Sequence, residues 1–302
     1  MAVIFLFIDG VGLGREDDSN PFYHTDYRGF SALAGDQSFS ENAGEVHEKQ
    51  HFFKKVDATL GVGGLPQSGT GQATLLSGEN AAQVIGKHFG PYPHSGIKYL
   101  LEEESLFLKA QRQGKKCHFM NAYPDIFFQK AEKKNRWSCT TLMAKNANIT
   151  LNTTEEVKRG QALTAELTQE AWKDQLQIEV PAISPEEAAD RLINQSVNYD
   201  LLLYEYYLTD KAGHSQNKTR AYRFIDTYDR FLWRLMKQKP ASTSIVLCSD
   251  HGNVEDLSIK THTYNEVPLA CVGPGAPIFK EAQSIRDVTP GLLEILQTQL
   301  ID

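Results

Sequence analysis

Four short polar segments, scattered over most of this chain, carry the side chains that could hold two adjacent metal ions. They are Phe7-Ile8-Asp9-Gly10, Pro66-Gln67-Ser68-Gly69-Thr70-Gly71-Gln72, Asp210-Lys211-Ala212-Gly213-His214, and Ser249-Asp250-His251-Gly252-Asn253 with the later Thr261-His262-Thr263. Three Asp and three His, with a serine between them in sequence, suit hard or borderline divalent ions such as Zn²⁺ or Mn²⁺, with Mg²⁺ a further choice. Metal-assisted chemistry at phosphorus or sulfur follows from that combination.

Each segment has its own argument. Asp9 ends an apolar run and meets no Lys or Arg in sequence before Arg15, so a carboxylate there needs a cation from elsewhere or serves only to turn the chain. Ser68 lies in a glycine-rich stretch, Gly61 to Gly71, ahead of a helical pattern, where backbone amides can approach an anion and a metal can activate the hydroxyl for attack on phosphorus. Thr70 is the competing hydroxyl, and a plain glycine-rich turn is the alternative. Asp210 and His214 are four apart, close enough to reach one ion from a helical turn or a looser loop. Asp250 and His251 are adjacent and need the bend at Gly252 to aim at a common centre. The other six histidines, His24, His47, His51, His88, His94 and His118, have no partner at ligand spacing and read as packing or rim residues. Lys87 and Arg15 are either phosphate contacts or solvated charges, and Phe127, Phe128, Trp137 and Trp172 either line a substrate pocket or pack.

The elements that must position these residues read as alternating buried strands and amphipathic helices. Val3 to Ile8 is a continuous apolar run ending in Asp-Gly, as expected of a central parallel strand with both faces buried, and Tyr199 to Tyr207 and Ser244 to Cys248 repeat the form. Ligand-type residues follow each strand within a few positions, which is where sites collect in open α/β sheets. Helices are expected over 71–76, 100–113, 184–194, 219–238 and 288–296. The fold class is therefore α/β, a doubly wound, mostly parallel sheet with helices on both faces. Residues 15–55 read as a long irregular excursion. Residues 124–177, rich in Lys, Asn, Thr and Trp, read as a small cap inserted into a core formed by 1–123 and 178–302.

Composition narrows the partners. The 302 residues are 41% apolar and carry 31 Lys plus Arg against 38 Asp plus Glu, a net charge of −7. No basic run suggests nucleic acid, and attraction of an anionic substrate must come from local cations. Four widely spaced cysteines without a CxxC pair fit a reducing compartment, and the apolar start is too short for a membrane span. A cytoplasmic protein acting on a small phosphorylated substrate is expected, without nucleic acid or membrane; the oligomeric state is open.

Taken in order, the motifs resemble the alkaline phosphatase superfamily, in the metalloenzyme branch that contains cofactor-independent phosphoglycerate mutase and phosphopentomutase. The likeness covers roughly 1–120 and 185–302. It implies that Asp9, Ser68, Asp250 and His251 surround one ion, that Asp210, His214 and His262 hold the other, and that Ser68 is the nucleophile. Where those mutases carry a His four residues past the nucleophile, this chain has Gln72, and their caps are larger than 124–177. The leading expectation is accordingly a two-metal phosphohydrolase that cleaves a monoester, or a diester, through phosphoserine. The alternatives are an intramolecular phosphotransferase (phosphomutase) and a non-catalytic metal-dependent binding protein. A sulfatase is disfavoured, because the Cys/Ser-x-Pro-x-Arg motif is absent around Ser68.

Overall fold

In the computed structural model, which describes residues 2–23 and 25–298, a seven-stranded mixed sheet is covered by helices on both faces. His24 lies outside the described residues. The strands are β1 (Val3–Ile8), β2 (Val46–His47), β3 (His51–Val56), β4 (Cys117–Phe119), β5 (Leu201–Tyr206), β6 (Ser244–Cys248) and β7 (Val267–Val272), in the spatial order β2-β3-β7-β6-β1-β5-β4. β6, β1, β5 and β4 form a parallel block, while β7, β3 and β2 extend it through antiparallel pairings.

The apolar run at the start of the chain becomes the centre of the sheet because every one of its side chains has a core to enter. Side chains alternate between faces along a strand. Val3, Phe5 and Phe7 point into one core with Leu201, Leu203, Val246 and Cys248, which is covered by the helices Ser68–Ser77, Leu106–Arg112, Cys139–Asn146 and Val288–Gln297. Ile4, Leu6 and Ile8 enter the opposite core with Leu202, Tyr204, Tyr206, Ile245 and Leu247, under the helices Pro185–Ser196 and Lys218–Gln238. Each large side chain so buried contributes about 1.5–3 kcal/mol.

Two stretches differ from the sequence expectation. Residues 15–55 contain the helix Arg28–Leu33 and the strands β2 and β3, and β3 pairs with β7 from His51↔Val272 to Val56↔Val267. Lys54 and Lys55 interrupt the apolar pattern of β3 at partly exposed positions, which hides the strand. The expected helix over 100–113 is two helices, Lys98–Glu102 and Leu106–Arg112, broken before Ser105. Within 124–177, Cys139, Leu142, Met143 and Ala144 are buried in the main core beside Ala73 and Leu76, whereas the helices Asp125–Lys134 and Glu170–Leu176 stand over the carboxyl ends of the strands with side chains in the large pocket there.

The helix Ser68–Ser77 is buried at all ten positions and lies directly against the residues after β6. A Cβ on Gly71 would stand 2.7 Å from the Asp250 carbonyl oxygen, which is backbone and has no flexible end to give way. Alanine is favoured over glycine in a helix by about 1 kcal/mol, but overpacking a close backbone contact costs about 1–3 kcal/mol. Gly71→Ala is therefore expected to destabilise the protein in chemical denaturation; a gain in stability would show that this approach has slack.

Candidate metal centre

The carboxyl ends of β1 and β6 deliver the first carboxylates. The register Phe7↔Cys248 sets the two strands level, so Asp9 and Asp250 emerge side by side. Gly10 takes φ +69, and a Cβ there would stand 2.8 Å from the Asp210 Cβ, so this turn needs glycine both for its conformation and to admit Asp210. The Asp9 carbonyl accepts from the Thr209 hydroxyl at 2.6 Å, tying the loop to the helix Leu208–Ser215. That helix presents Asp210 and His214 one turn apart on the same side. Thr263 N donates to the Gly252 carbonyl at 3.0 Å, and this bridge brings His262 onto His251, with the rings stacked at 3.7 Å between centroids.

All seven side chains singled out in the sequence thus meet in one place. Ligand atoms of Asp9, Asp250 and His251 lie within 4.8 Å of one another, and so do those of Asp210, His251 and His262. Ser68 Oγ is 3.0 Å from His251 Nε2, at the first residue of its helix. His214 Nε2 is 3.4 Å from Asp210 Oδ2 and 3.2 Å from His262 Nε2. Thr70 turns away, its hydroxyl 3.1 Å from the Gln67 carbonyl, so Ser68 is the hydroxyl at the cluster.

The imidazoles are oriented from behind. Nδ1 of His262 donates to the Pro66 carbonyl at 2.6 Å and Nδ1 of His214 to the Lys260 carbonyl at 2.8 Å, which leaves each Nε2 as a lone pair facing inward. Burial, with the neighbouring His251 second, pushes the His262 imidazole down to about 4, and burial also lowers His251. Both rings are thus neutral, the form that ligates a metal. Burial raises Asp9, helped by the charges of Asp250 and Asp210, and burial followed by the Asp210 charge raises Asp250.

The donor set fits divalent cations. Asp9 Oδ1, Asp250 Oδ2 and Asn253 Oδ1 are buried without a hydrogen-bond partner, an arrangement that costs about 1–3 kcal/mol per neutral group and more per charge. Asp9 Oδ1 and Asp250 Oδ2 converge with the imidazole of His251, while their partner oxygens are taken by Gln72 Nε2 and Gly10 N, and a cation there satisfies the free oxygens together.

Three further residues build the site: Gln72, marked in the sequence only as standing in place of the mutases' histidine, and Glu255 and Glu205, which carried no signal there. Gln72 Nε2 donates to Asp9 Oδ2 at 3.1 Å and leaves Oδ1 to the cluster. Glu255, buried after the Asp-His-Gly segment, accepts from the Gly12 and Asn253 amides at 2.8 Å each, from Asn265 Nδ2 at 3.1 Å and from the Thr263 hydroxyl, joining three loops. Glu205 accepts from Thr140 Oγ1 at 2.6 Å, and burial pushes its carboxyl up to about 7. The five described histidines outside the cluster take other roles; His88, for example, bonds the Thr59 carbonyl at 3.1 Å. Lys87 lies over the Phe89 ring, not in the site.

A cavity of about 660 Å³ opens from Asp9, Ser68 and Asp210. Phe127 and Trp172 line it, together with Tyr123, Tyr207 and Phe224.

A family model described as the Metalloenzyme superfamily matches residues 1–300. The chain belongs to that superfamily. Its relatives include the 2,3-bisphosphoglycerate-independent phosphoglycerate mutase of Desulforudis audaxviator, 31% identical over 124 residues, which covers 38% of this chain and 24% of that protein. The mutase of the same name from Acinetobacter baylyi is 32% identical over 127 residues, 39% of this chain and 25% of that protein. The matched region thus spans about a quarter of the length of these curated relatives. Among solved structures, alkaline phosphatase from the Antarctic bacterium TAB5 superposes with a TM-score of 0.61 at 14% identity, over 99% of both chains. Leishmania mexicana phosphoglycerate mutase gives 0.50 at 10% identity, over 99% of this chain and 95% of that one. These likenesses show an alkaline phosphatase-like fold, and the family model places the chain among the metalloenzymes. Among the described residues no helix is long and apolar enough to cross a membrane.

Two outcomes test the centre. Asp250→Asn keeps the acceptor for Gly10 N but removes a buried like charge. It is expected to stabilise the cation-free protein, by about 1–3 kcal/mol, while lowering the Mn²⁺ or Zn²⁺ retained after dialysis, measured by elemental analysis. The pH dependence follows from the raised carboxyls. A raised folded-state value contributes stability below the ordinary carboxylate range that is lost as pH rises through the folded value, here about 7 for Asp250. The lowered histidines act oppositely, with a contribution that is complete above the ordinary 6.5. Between pH 6.5 and 8 the carboxyls therefore dominate: the melting temperature of cation-free protein is expected to fall, and Mn²⁺ to abolish the fall. A flat profile without metal would count against a cluster in need of a cation.

Proposed function

We propose that this protein is a metal-dependent phosphoryl-transfer enzyme in which Ser68 takes the phosphoryl group of a small phosphorylated substrate and gives it back, a phosphotransferase of the mutase type. The observation that carries the reading is the Ser68 hydroxyl, seated at a helix start 3.0 Å from His251 Nε2 and beside buried, unpartnered carboxylate oxygens of Asp9 and Asp250. One cation would be held by Asp9, Ser68, Asp250 and His251, the other by Asp210, His214 and His262, with Zn²⁺ or Mn²⁺ suited to both sets and Mg²⁺ the remaining choice. When bound, they would supply a lowered serine pKa and neutralisation of phosphoryl charge.

The chain's own groups do the rest. Gln72 fixes Asp9, and the backbone carbonyls of Pro66 and Lys260 fix the tautomers of His262 and His214. The positive end of the helix Ser68–Ser77 faces the phosphoryl group as Ser68 Oγ attacks and the ester oxygen departs. The core is assigned to 1–123 and 178–302. Within 124–177, the helices Asp125–Lys134 and Glu170–Leu176 act as the cap, with Phe127, Trp172 and Leu176 over the pocket.

Hydrolysis, the leading expectation from the sequence, would follow from the same phosphoserine if water reached it. Retention is favoured by the aromatic walls of the pocket and by the phosphoglycerate mutases among the relatives. Four buried, unpaired thiols support a cytoplasmic setting.

With Mn²⁺ or Zn²⁺ present, ³¹P NMR on a panel of sugar phosphates and phosphoglycerates is expected to reveal an isomerised ester in excess of inorganic phosphate. Ser68→Ala is expected to lower turnover by about 10³-fold or more, as loss of a nucleophile does elsewhere. Inorganic phosphate as the dominant product would return the reading to hydrolysis. Near-full activity of the variant would remove Ser68 as the nucleophile.

A further inference from the structure

The pocket that leads away from Ser68 ends on a cationic wall to which the chemistry above gives no role. Lys211, Arg220 and Arg223 all line it. Arg220 and Arg223 each hold their guanidinium 5.6 Å from the centroid of one ring, Phe224, and Lys211 Nζ lies 4.4 Å over Tyr207. Among the described residues none of the three has a carboxylate within ion-pair distance. The contrast lies on the same helix, Lys218–Gln238. Two to four turns further on, Arg230 pairs with Glu186 and Arg234 with Asp190, each through two nitrogens at 2.9 and 3.0 Å. Among the described residues of this helix, the two arginines that meet the helix Pro185–Ser196 are ion-paired and the two that line the cavity are not.

Of the acids that line the same pocket, none is within ion-pair distance of this wall, and each has other partners. Asp9 and Asp210 belong to the metal cluster, and Glu205 is engaged by Thr140. Glu166 accepts from the Ala171 amide at 3.0 Å, capping the roof helix Glu170–Leu176. Three cationic side chains on one side of a pocket, in a protein with a net charge of −7, stand against the overall trend. The guanidinium fork is the group best shaped to bind carboxylate or phosphate. Between this wall and the metal cluster the pocket is aromatic, with Tyr123, Phe127, Trp172 and Phe224, and its volume of about 660 Å³ accommodates a ring-sized body.

We propose that Arg220 and Arg223, with Lys211 beside them, are specificity-determining residues that bind a second anionic group, carboxylate or phosphate, at the far end of a phosphomonoester with a ring-sized body. Which end of the substrate lies at Ser68 rests on the phosphoryl-transfer reading; the presence of an anion site at the arginines does not.

Binding tests the proposal without turnover. Affinities of the Mn²⁺-loaded protein are measured by calorimetry for phenylphosphonate, 4-carboxyphenylphosphonate and 1,4-phenylenebisphosphonate, on the wild type and on the exposed double variant Arg220→Gln/Arg223→Gln. At least one of the two-anion probes is expected to bind about tenfold or more tightly than phenylphosphonate, the lower range for charge-assisted hydrogen bonds. The double variant is expected to lose that advantage while its affinity for phenylphosphonate is unchanged. Whichever two-anion probe gains more identifies the group preferred. The proposal is overturned if neither second anion adds affinity in the wild type, or if the advantage persists in the variant. Tight two-anion binding without turnover of any phosphomonoester would instead sink the phosphoryl-transfer reading and leave the anion site standing.

Discussion

Two carboxylates, Asp9 and Asp250, are forced together inside the protein at the ends of adjacent parallel strands, and the rest of the site is arranged around that fact. The pairing of β1 with β6 fixes their separation, and the loops beyond leave one oxygen of each without a donor. In a poorly solvated interior two such charges repel strongly, so the protein alone favours their protonated forms, as the raised values of both record. A divalent cation reverses that preference. The neutral imidazoles of His251 and His262 belong to the same logic: burial keeps them uncharged, and backbone carbonyls turn the lone pairs of His262 and His214 inward.

The fold makes such a concentration tolerable by burying apolar side chains on both faces of β1, β5 and β6 and restricting polarity to the strand ends. Because alternate residues of β1 enter two separate cores, the strand cannot slip by one position without moving Phe5 and Phe7 to the wrong side. Register and site geometry are therefore one constraint. Glu255 carries it outward, since its carboxylate binds amides or side chains of the loops at Gly12, Asn253, Thr263 and Asn265. Through Thr263 it also supports the stacking of His262 on His251.

What could be read in the sequence and what could not divide along the same physical lines. The strand runs before Asp9, Asp210 and Asp250 were visible because a strand buried on both faces is apolar throughout, and the ligand residues were visible because chemistry restricts their types. β3 was not visible: His51 to Val56 mixes two phenylalanines with two lysines, and its pairing with β7 depends on residues more than two hundred positions away. Glu255 was silent and Gln72 showed only as a departure from the mutase pattern, because a carboxylate and an amide acquire meaning only from the atoms that fold against them. The stretch 124–177 read as a uniform polar insertion, yet the helix Cys139–Asn146 sends Cys139 and Met143 into the main core, and only spatial neighbours distinguish it from the helices over the pocket.

On the phosphoryl-transfer reading proposed above, the fate of a phosphoryl group on Ser68 would depend less on the metal cluster than on what lies across the pocket. A phosphoserine surrounded by the same ligands is hydrolysed where water is admitted and passed on where a bound acceptor excludes it, so the discriminating groups are those that hold the acceptor and close the space around it. The proposed reading places them at the aromatic side chains Phe127 and Trp172 on the roof and at the arginines at the start of the helix Lys218–Gln238, all of which line the pocket. That helix follows directly on the one that presents Asp210 and His214, and it buries Ile225, Tyr228, Phe231, Leu232 and Leu235 against the sheet. Arg220 and Arg223 are thus set on a helix with seven buried residues, opposite roof helices with one each, an arrangement that on the proposed reading would fix one end of a substrate while leaving the cover free to adjust around its body.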